Sequence, residues 1–454
     1  MKLVWLLLLT VALGGGYWAW GAFEGNAPVI STLDSLVYVG APHDHGFRIG
    51  DDGRGVESVR VFVVAGDQEY KIFSQSYEGT WHSGADLKTP REIQVTIVPK
   101  DLGLPQGDAL LVAEATDFSL RHNVSRVEVP MVVDSRKPRV SLLTGLTYIR
   151  QGGSELAVYE VDEPTSKHGV QVGETFFPGF PHPKDAKLRV ALYAIPYDAP
   201  STQGASLIAV DRAGNRTDVP LSLSILHRRQ TADRILLDDN FLKAKVDEIL
   251  DGGEPGQDPL TGYLKINREV RAQNNKKLRE LCSDSSQERL WDSAFTQMPN
   301  SKVGAGFAEA RTYVYKGQDV DRQLHLGFDL ASNARSEVPA ANDGVVVFAD
   351  ELGIYGRVVV IDHGLGLFSL YGHLSEIAVE KGKAVAQGQS LGRSGTTGLA
   401  GGDHLHFAML LSGIFIDPLE WFDKRWINEH LEAKLAPLPP EVEPPAPPAP
   451  SAGG

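Results

Sequence analysis

The segment 323–332, QLHLGFDLAS, alternates Leu324, Leu326, Phe328 and Leu330 with His325, Gly327 and Asp329. Strict alternation predicts a strand with one apolar and one open face. His325 and Asp329 then share the open face, and Gly327 leaves room between them. An imidazole and a carboxylate so placed suit Zn²⁺, which takes nitrogen and oxygen ligands. In GGDHLHFAMLLSG, 401–413, His404 and His406 point one way while Leu405, Phe407 and Met409 point the other. In LFSLYGHLS, 367–375, the alternation puts Phe368, Leu370 and Leu374 on one face and Ser369, Tyr371 and His373 on the other. One histidine on a strand is usually an ordinary surface or core group. Three strands with such polar faces between His325 and His406 point to a shared site.

The pieces between them are sheet-forming. NDGVVVFAD (342–350) runs from an Asp-Gly turn into a strand, and RVVVIDHGLGLFSLY (357–371) predicts two strands joined by a Gly-rich turn, with His363 as a turn residue and not a ligand. HLGFD, LYGHL and HLHF, in this order, resemble the lysostaphin-type zinc endopeptidases that cut peptidoglycan peptides. ANDGVVVFA, VVVIDHGLG and KGKAVAQGQSLGRSG are similar to that family's connecting segments. The resemblance covers about 305–422.

It implies a compact, mainly antiparallel β domain with its site in a groove and one Zn²⁺ per chain. It implies His325, Asp329 and His406 as metal ligands, and His373 and His404 as catalytic residues that do not bind the metal. Three protein ligands leave a fourth zinc position for water, whose pKa zinc lowers to about 7. The two imidazoles would take the water's proton and hold the oxyanion. His404 is assigned as the base and His373 as the orienter or oxyanion partner, with the two roles exchangeable. Tyr371 either hydrogen-bonds the oxyanion or packs. Asp403, where Pro is a familiar alternative, either orients an imidazole or is a loop residue, and the loop role is expected. The implied function is hydrolysis of peptide cross-links or stem peptides of bacterial peptidoglycan. The competing class is a non-catalytic wall-binding scaffold or an activator of another wall hydrolase; a third is a metallopeptidase with a protein substrate.

The elements that must position these residues belong to a chain of 454 residues with net charge −14. That charge argues against nucleic acid as a partner, because phosphate binding wants a basic surface. Residues 1–24 are expected to be a signal anchor. Leu3–Phe23 carries no charge, is long enough to cross a bilayer, and follows Lys2, which puts the bulk of the chain outside the cytoplasm. The alternative is a signal peptide cleaved after the small residues Ala19 and Gly21. The anchor makes the inner membrane a partner, with a cell-envelope protein as a further one.

The expected fold class is mainly β, with two immunoglobulin-like β-sandwich modules, a helical connector and an antiparallel-β zinc peptidase domain. Short alternating runs such as VRVFVV (59–64) and IQVTIV (93–98), and a repeat of an Asp-led turn at Asp117 and Asp211, predict the two modules at 27–135 and 136–227. Apolar spacings of three and four predict the connector at 228–299. The peptidase domain is expected at 300–423 and a Pro-rich disordered tail at 434–454. His43 and His45 in PHDHGF are placed in a loop without further ligands nearby. Cys282 is alone, so no intrachain disulfide forms, and it is expected to be a half-buried apolar residue.

Overall fold

The computed structural model describes residues 2–436 except 24, 33, 81–83, 86–88 and 252–257. The protein is mainly β. It divides into two compact units: residues 1–139 with 162–166 and 209–217, and residues 140–161 with 167–208 and 218–454. The expected tail falls outside the described residues from 437 onward.

In the first unit a five-stranded and a three-stranded sheet share one core. Val59, Val61 and Val63 on one sheet, and Phe47, Ile49, Val95 and Ile97 on the other, are buried. This is the period of two expected when one face of each strand meets a core. His43 and His45 belong to the strand His43–Gly50 and not to a loop. His45 is buried, with Nε2 3.0 Å from the Thr32 hydroxyl. Residues Lys2–Ala22 are helical. Among the described residues no helix is long and apolar enough to cross a membrane. Several side chains of Lys2–Ala22 lie outside the described residues.

In the second unit one continuous core runs through the sheets of 140–226, the helical segment and the sheets beyond residue 302. Its largest sheet orders its strands 302–305, 328–331, 405–411, 367–374, 357–364, 344–351 and 384–385, with 414–416 also paired to 405–411. Every pairing in it is antiparallel. A second sheet pairs Ala232–Leu237 parallel with Glu309–Tyr315, which pairs in turn with Gln318–His325.

Two sequence expectations change here. The stretch 323–332 is not one strand: Gln318–His325 ends in one sheet and Phe328–Ala331 begins in another, with Leu326 and Gly327 as the corner. The connector also opens on a strand, 232–237, before its helices Asp239–Ile249, Pro259–Lys265 and Arg271–Leu281. Asp238 and Asp258 cap the first two helices by accepting from Phe241 N and Thr261 N. Leu242, Val246, Tyr263 and Leu278 bury one face of the segment. Cys282 is fully buried rather than half-buried.

His363 lies on the strand Arg357–Gly364, not in the turn. It is wholly buried, donates from Nδ1 to Asp343 O at 2.6 Å, and has Nε2 2.7 Å from the Ser369 hydroxyl. Burial pushes its pKa down to about 4 despite the Asp343 carbonyl, which favours the charged form. The unfolded chain therefore binds the extra proton below about pH 6.5, so stability is full above that pH and falls as the pH drops toward 4. Denaturant titrations at pH 7 and pH 5 should show the parent losing about 2 kcal/mol more than His363→Gln between the two pH values. Equal losses would contradict this account.

Candidate metal centre

Strand register builds the site. Asp329 lies directly opposite His406, and Gly372 pairs with His406 on its other side. Three neighbouring strands thus bring Asp329, His406 and the vicinity of His373 into one row. His325 arrives from the other sheet across the Leu326–Gly327 corner. Its Nε2 is 2.9 Å from Asp329 Oδ1 and 3.1 Å from His406 Nδ1, and His406 Nδ1 is 3.1 Å from Asp329 Oδ1. His325, Asp329 and His406 form the one group of metal-compatible donors among the described residues of the second unit.

Tautomers decide what these atoms offer. His325 Nδ1 is 2.9 Å from Gly306 O, and a carbonyl only accepts, so that nitrogen carries the hydrogen. The lone pair on His325 Nε2 then faces a carboxylate oxygen and a second imidazole nitrogen. That lone pair and the carboxylate oxygen 2.9 Å away are both acceptors, a pairing that a cation relieves, and a set of two imidazoles and one carboxylate fits Zn²⁺. The Asp329 carboxylate is shared further. Arg311 Nη2 donates to its Oδ2 at 2.6 Å, and His404 Nε2 is 3.4 Å from its Oδ1. Burial alone would raise the Asp329 pKa, but the contacts with His325, His404 and His406 prevail and hold it well below the usual range. Burial also pushes His406 down to about 4. It is therefore neutral near pH 7, the form that binds a metal.

His373 and His404 flank the trio, their ring centroids 4.8 Å apart. His373 Nδ1 donates to Thr397 O at 2.8 Å, and His404 Nδ1 donates to Gly402 O at 2.7 Å. Both rings thereby carry a lone pair on Nε2. Burial, then His404 and His406, keep the His373 pKa well below its usual value. Burial also presses on His404, but Asp329 outweighs it and raises that imidazole's pKa. The Thr397 loop is held from the helical segment: Lys245 Nζ donates to Thr396 O at 2.9 Å, and Glu248 Oε1 accepts from Gly398 N at 2.6 Å.

Alternation misplaced Tyr371. His373 has φ +62°, in the left-handed region, and the ladder to strand 357–364 is irregular there. The irregularity breaks the period of two, so Tyr371 and His373 do not share a face. The Tyr371 hydroxyl accepts from Ala341 N at 2.8 Å and lies 3.0 Å from the Ser369 hydroxyl, while its ring packs against Phe407. Tyr371 is a core residue. Asp403 Oδ2 accepts from Arg335 N and its Oδ1 from the Ser394 hydroxyl, so it pins a loop and orients no imidazole. Arg311, Gly306 O and Thr397 O were not anticipated. They belong to no motif, and two of the three act through the backbone.

The five residues stand together within a recognisable stretch, since residues 323–418 match Peptidase family M23. This stretch is a lysostaphin-type M23 peptidase domain. Over 89 residues the M23 domain is 42% identical to the peptidoglycan DD-endopeptidase ShyA of Vibrio cholerae serotype O1, covering 20% of this chain and 21% of that protein. Over 109 residues this chain is 36% identical to the murein hydrolase activator EnvC of Escherichia coli K12, covering 24% of this chain and 26% of that protein. The catalytic domain of lysostaphin from Staphylococcus simulans aligns at 27% identity over 29% of this chain and 98% of that one, with a TM-score of 0.25. The chain spans about a fifth to a quarter of the length of these two curated relatives.

The M23 domain's corner glycine has a steric reason. A Cβ on Gly327 would lie 2.6 Å from Phe407 O and 2.8 Å from His406 Cε1. Gly327→Ala should displace the His406 ring and weaken zinc binding at least tenfold in a competition titration with a chromogenic chelator. Unchanged zinc affinity would show that the ring tolerates the methyl. His406→Ala removes one of the three converging donors and should leave the purified chain with far less than one zinc by elemental analysis.

Proposed function

We propose that the chain is a zinc-dependent endopeptidase acting on peptide bonds of bacterial peptidoglycan. One observation carries this: a trio of converging donors stands beside two histidines whose Nδ1 atoms are tied to backbone carbonyls. A purely structural metal site has no use for the two further imidazoles. The M23 match and the similarity to a peptidoglycan DD-endopeptidase supply the substrate class.

His325, Asp329 and His406 would hold the ion. When bound, Zn²⁺ supplies Lewis acidity toward a scissile carbonyl oxygen and lowers the pKa of water. His404 Nε2 accepts the proton from the attacking water, and the neighbouring Asp329 carboxylate stabilises the imidazolium that results. His373, with its hydrogen committed to Thr397 O, presents an acceptor at Nε2. That makes it an orienter of the water and not an oxyanion donor. Arg311 fixes Asp329 through Oδ2 and leaves Oδ1 toward the histidines.

The rest of the chain is proposed as a positioning device. The uncharged run Leu3–Phe23 supports an inner-membrane anchor with the bulk in the periplasm. Trp5, Leu8, Leu9, Val11, Leu13, Tyr17 and Trp18 are exposed along that helix, and a helix apolar on all sides wants lipid or a core. The sheet pairs within 27–135 and 136–227 are read as two immunoglobulin-like modules that hold the peptidase within reach of the wall. Similarity to a murein hydrolase activator supports a second reading, in which the domain acts through another hydrolase.

Two measurements separate these readings. The purified zinc-loaded chain should release soluble muropeptides from isolated peptidoglycan, and chelation should abolish the release. No release at full zinc content would overturn the endopeptidase reading. His404→Ala should keep about one zinc per chain while turnover falls by roughly 10²–10⁴-fold. Loss of zinc in that variant would make His404 a ligand and overturn its assigned role.

A further inference from the structure

A cavity of about 350 Å³ adjoins the metal centre, sharing His325, His406, Arg311 and Tyr355 with the groove that contains the catalytic histidines. Its lining includes Arg271, Arg311 and Arg322 and no Asp or Glu. This is an unusual surface in a chain of net charge −14. The three arginines are not equivalent. Arg311 is neutralised by Asp329 and Glu309. Arg322 is mostly exposed and stands 3.7 Å from Asp319. Arg271, on the helix Arg271–Leu281, has no acidic partner within 4.0 Å among the described residues, and it lines both the cavity and the catalytic groove.

Its guanidinium is nonetheless held. Nε donates to Asn267 O at 3.1 Å and Nη2 to Asn267 Oδ1 at 2.6 Å. Asn267 is fully buried and donates from Nδ2 to Asp321 Oδ2 at 2.8 Å. The arginine is thus fixed by a buried amide that carries no charge, and Nη1 has no hydrogen-bond partner among the described residues. An oriented, uncompensated guanidinium beside a peptidase centre suits a planar anion that accepts from its fork.

We propose that Arg271 is a specificity-determining residue that binds a free carboxylate of the peptide substrate in this cavity. The inference rests on the peptidoglycan reading, because wall stem peptides carry carboxylates at their C-terminus and on side chains. It gives the helical segment a direct part in substrate choice. The segment supplies one wall of the subsite, and the buried Asn267–Asp321 contact sets the position of the charge.

The test is calorimetric titration of the zinc-loaded full chain with an uncross-linked disaccharide tetrapeptide. Three forms are compared: free acid, terminal carboxamide, and side-chain carboxamide. Such a peptide contains no cross-link, so its binding is read separately from cross-link cleavage. The parent should bind the free acid about tenfold more tightly than one of the two amides, and which amide loses affinity identifies the carboxylate. Arg271→Gln should erase this preference without changing affinity for the weaker amide. Arg271→Lys, which keeps the charge but loses the fork, should retain part of it. Both variants should keep the parent's circular dichroism spectrum and zinc content. Equal binding of all three forms by the parent, binding of none, or a preference that survives Arg271→Gln overturns the proposal. Failure of the peptidoglycan reading would look different: a carboxylate preference that depends on Arg271, with no cleavage of cross-linked peptidoglycan.

Discussion

The Asp329 carboxylate is the contact on which the site hangs. A charge this enclosed is costly unless it is paired and hydrogen-bonded, and here it meets three imidazoles and one guanidinium. Its two oxygens have different duties. Oδ2 is committed to Arg311, so Oδ1 is the atom presented to His325, His404 and His406. That division fixes the carboxylate's rotation. His325, His373 and His404 are fixed in turn by backbone carbonyls at Gly306, Thr397 and Gly402. Each carbonyl selects the tautomer of its own imidazole before any ligand arrives.

Much of this was legible in the sequence because alternation is a local property. The apolar partners of His325, Asp329, His404 and His406 lie one residue away, so the shared open faces could be read directly. Two features were not legible for the same physical reason. The corner at Leu326–Gly327 moves the chain between sheets without disturbing the alternation of residue types. The left-handed backbone falls on His373 itself and not on the adjacent Gly372, so it reverses a side chain where the residue type gives no sign of it. Tyr371 was therefore placed on the wrong face by a rule that holds elsewhere in the same strand.

The helical segment illustrates a different limit. Its apolar spacing announced a helical connector at 228–299, and the caps at Asp238 and Asp258 are ordinary sequence signals. The strand 232–237 was hidden because its partner, Glu309–Tyr315, is far along the chain and pairs with it in parallel. Nor does any local pattern reveal that Lys245 and Glu248 grip the loop carrying Thr397. Through that loop a helix outside the M23 match bears on the orientation of His373. Arg311 also lies outside it, so the matched span carries the five expected residues but not all the groups that hold them.

The strand Leu405–Leu411 sits between Phe328–Ala331 and Leu367–Leu374, although it comes after both in the chain. Asp329 and His406 are direct neighbours across the sheet and 77 positions apart along the backbone. A growing chain that has not yet emerged past residue 406 leaves Asp329 and His325 on an incomplete edge, with no third donor. Assembly of the three-donor group is thus set by strand order. The donor group is complete only when that central strand pairs with both of its neighbours.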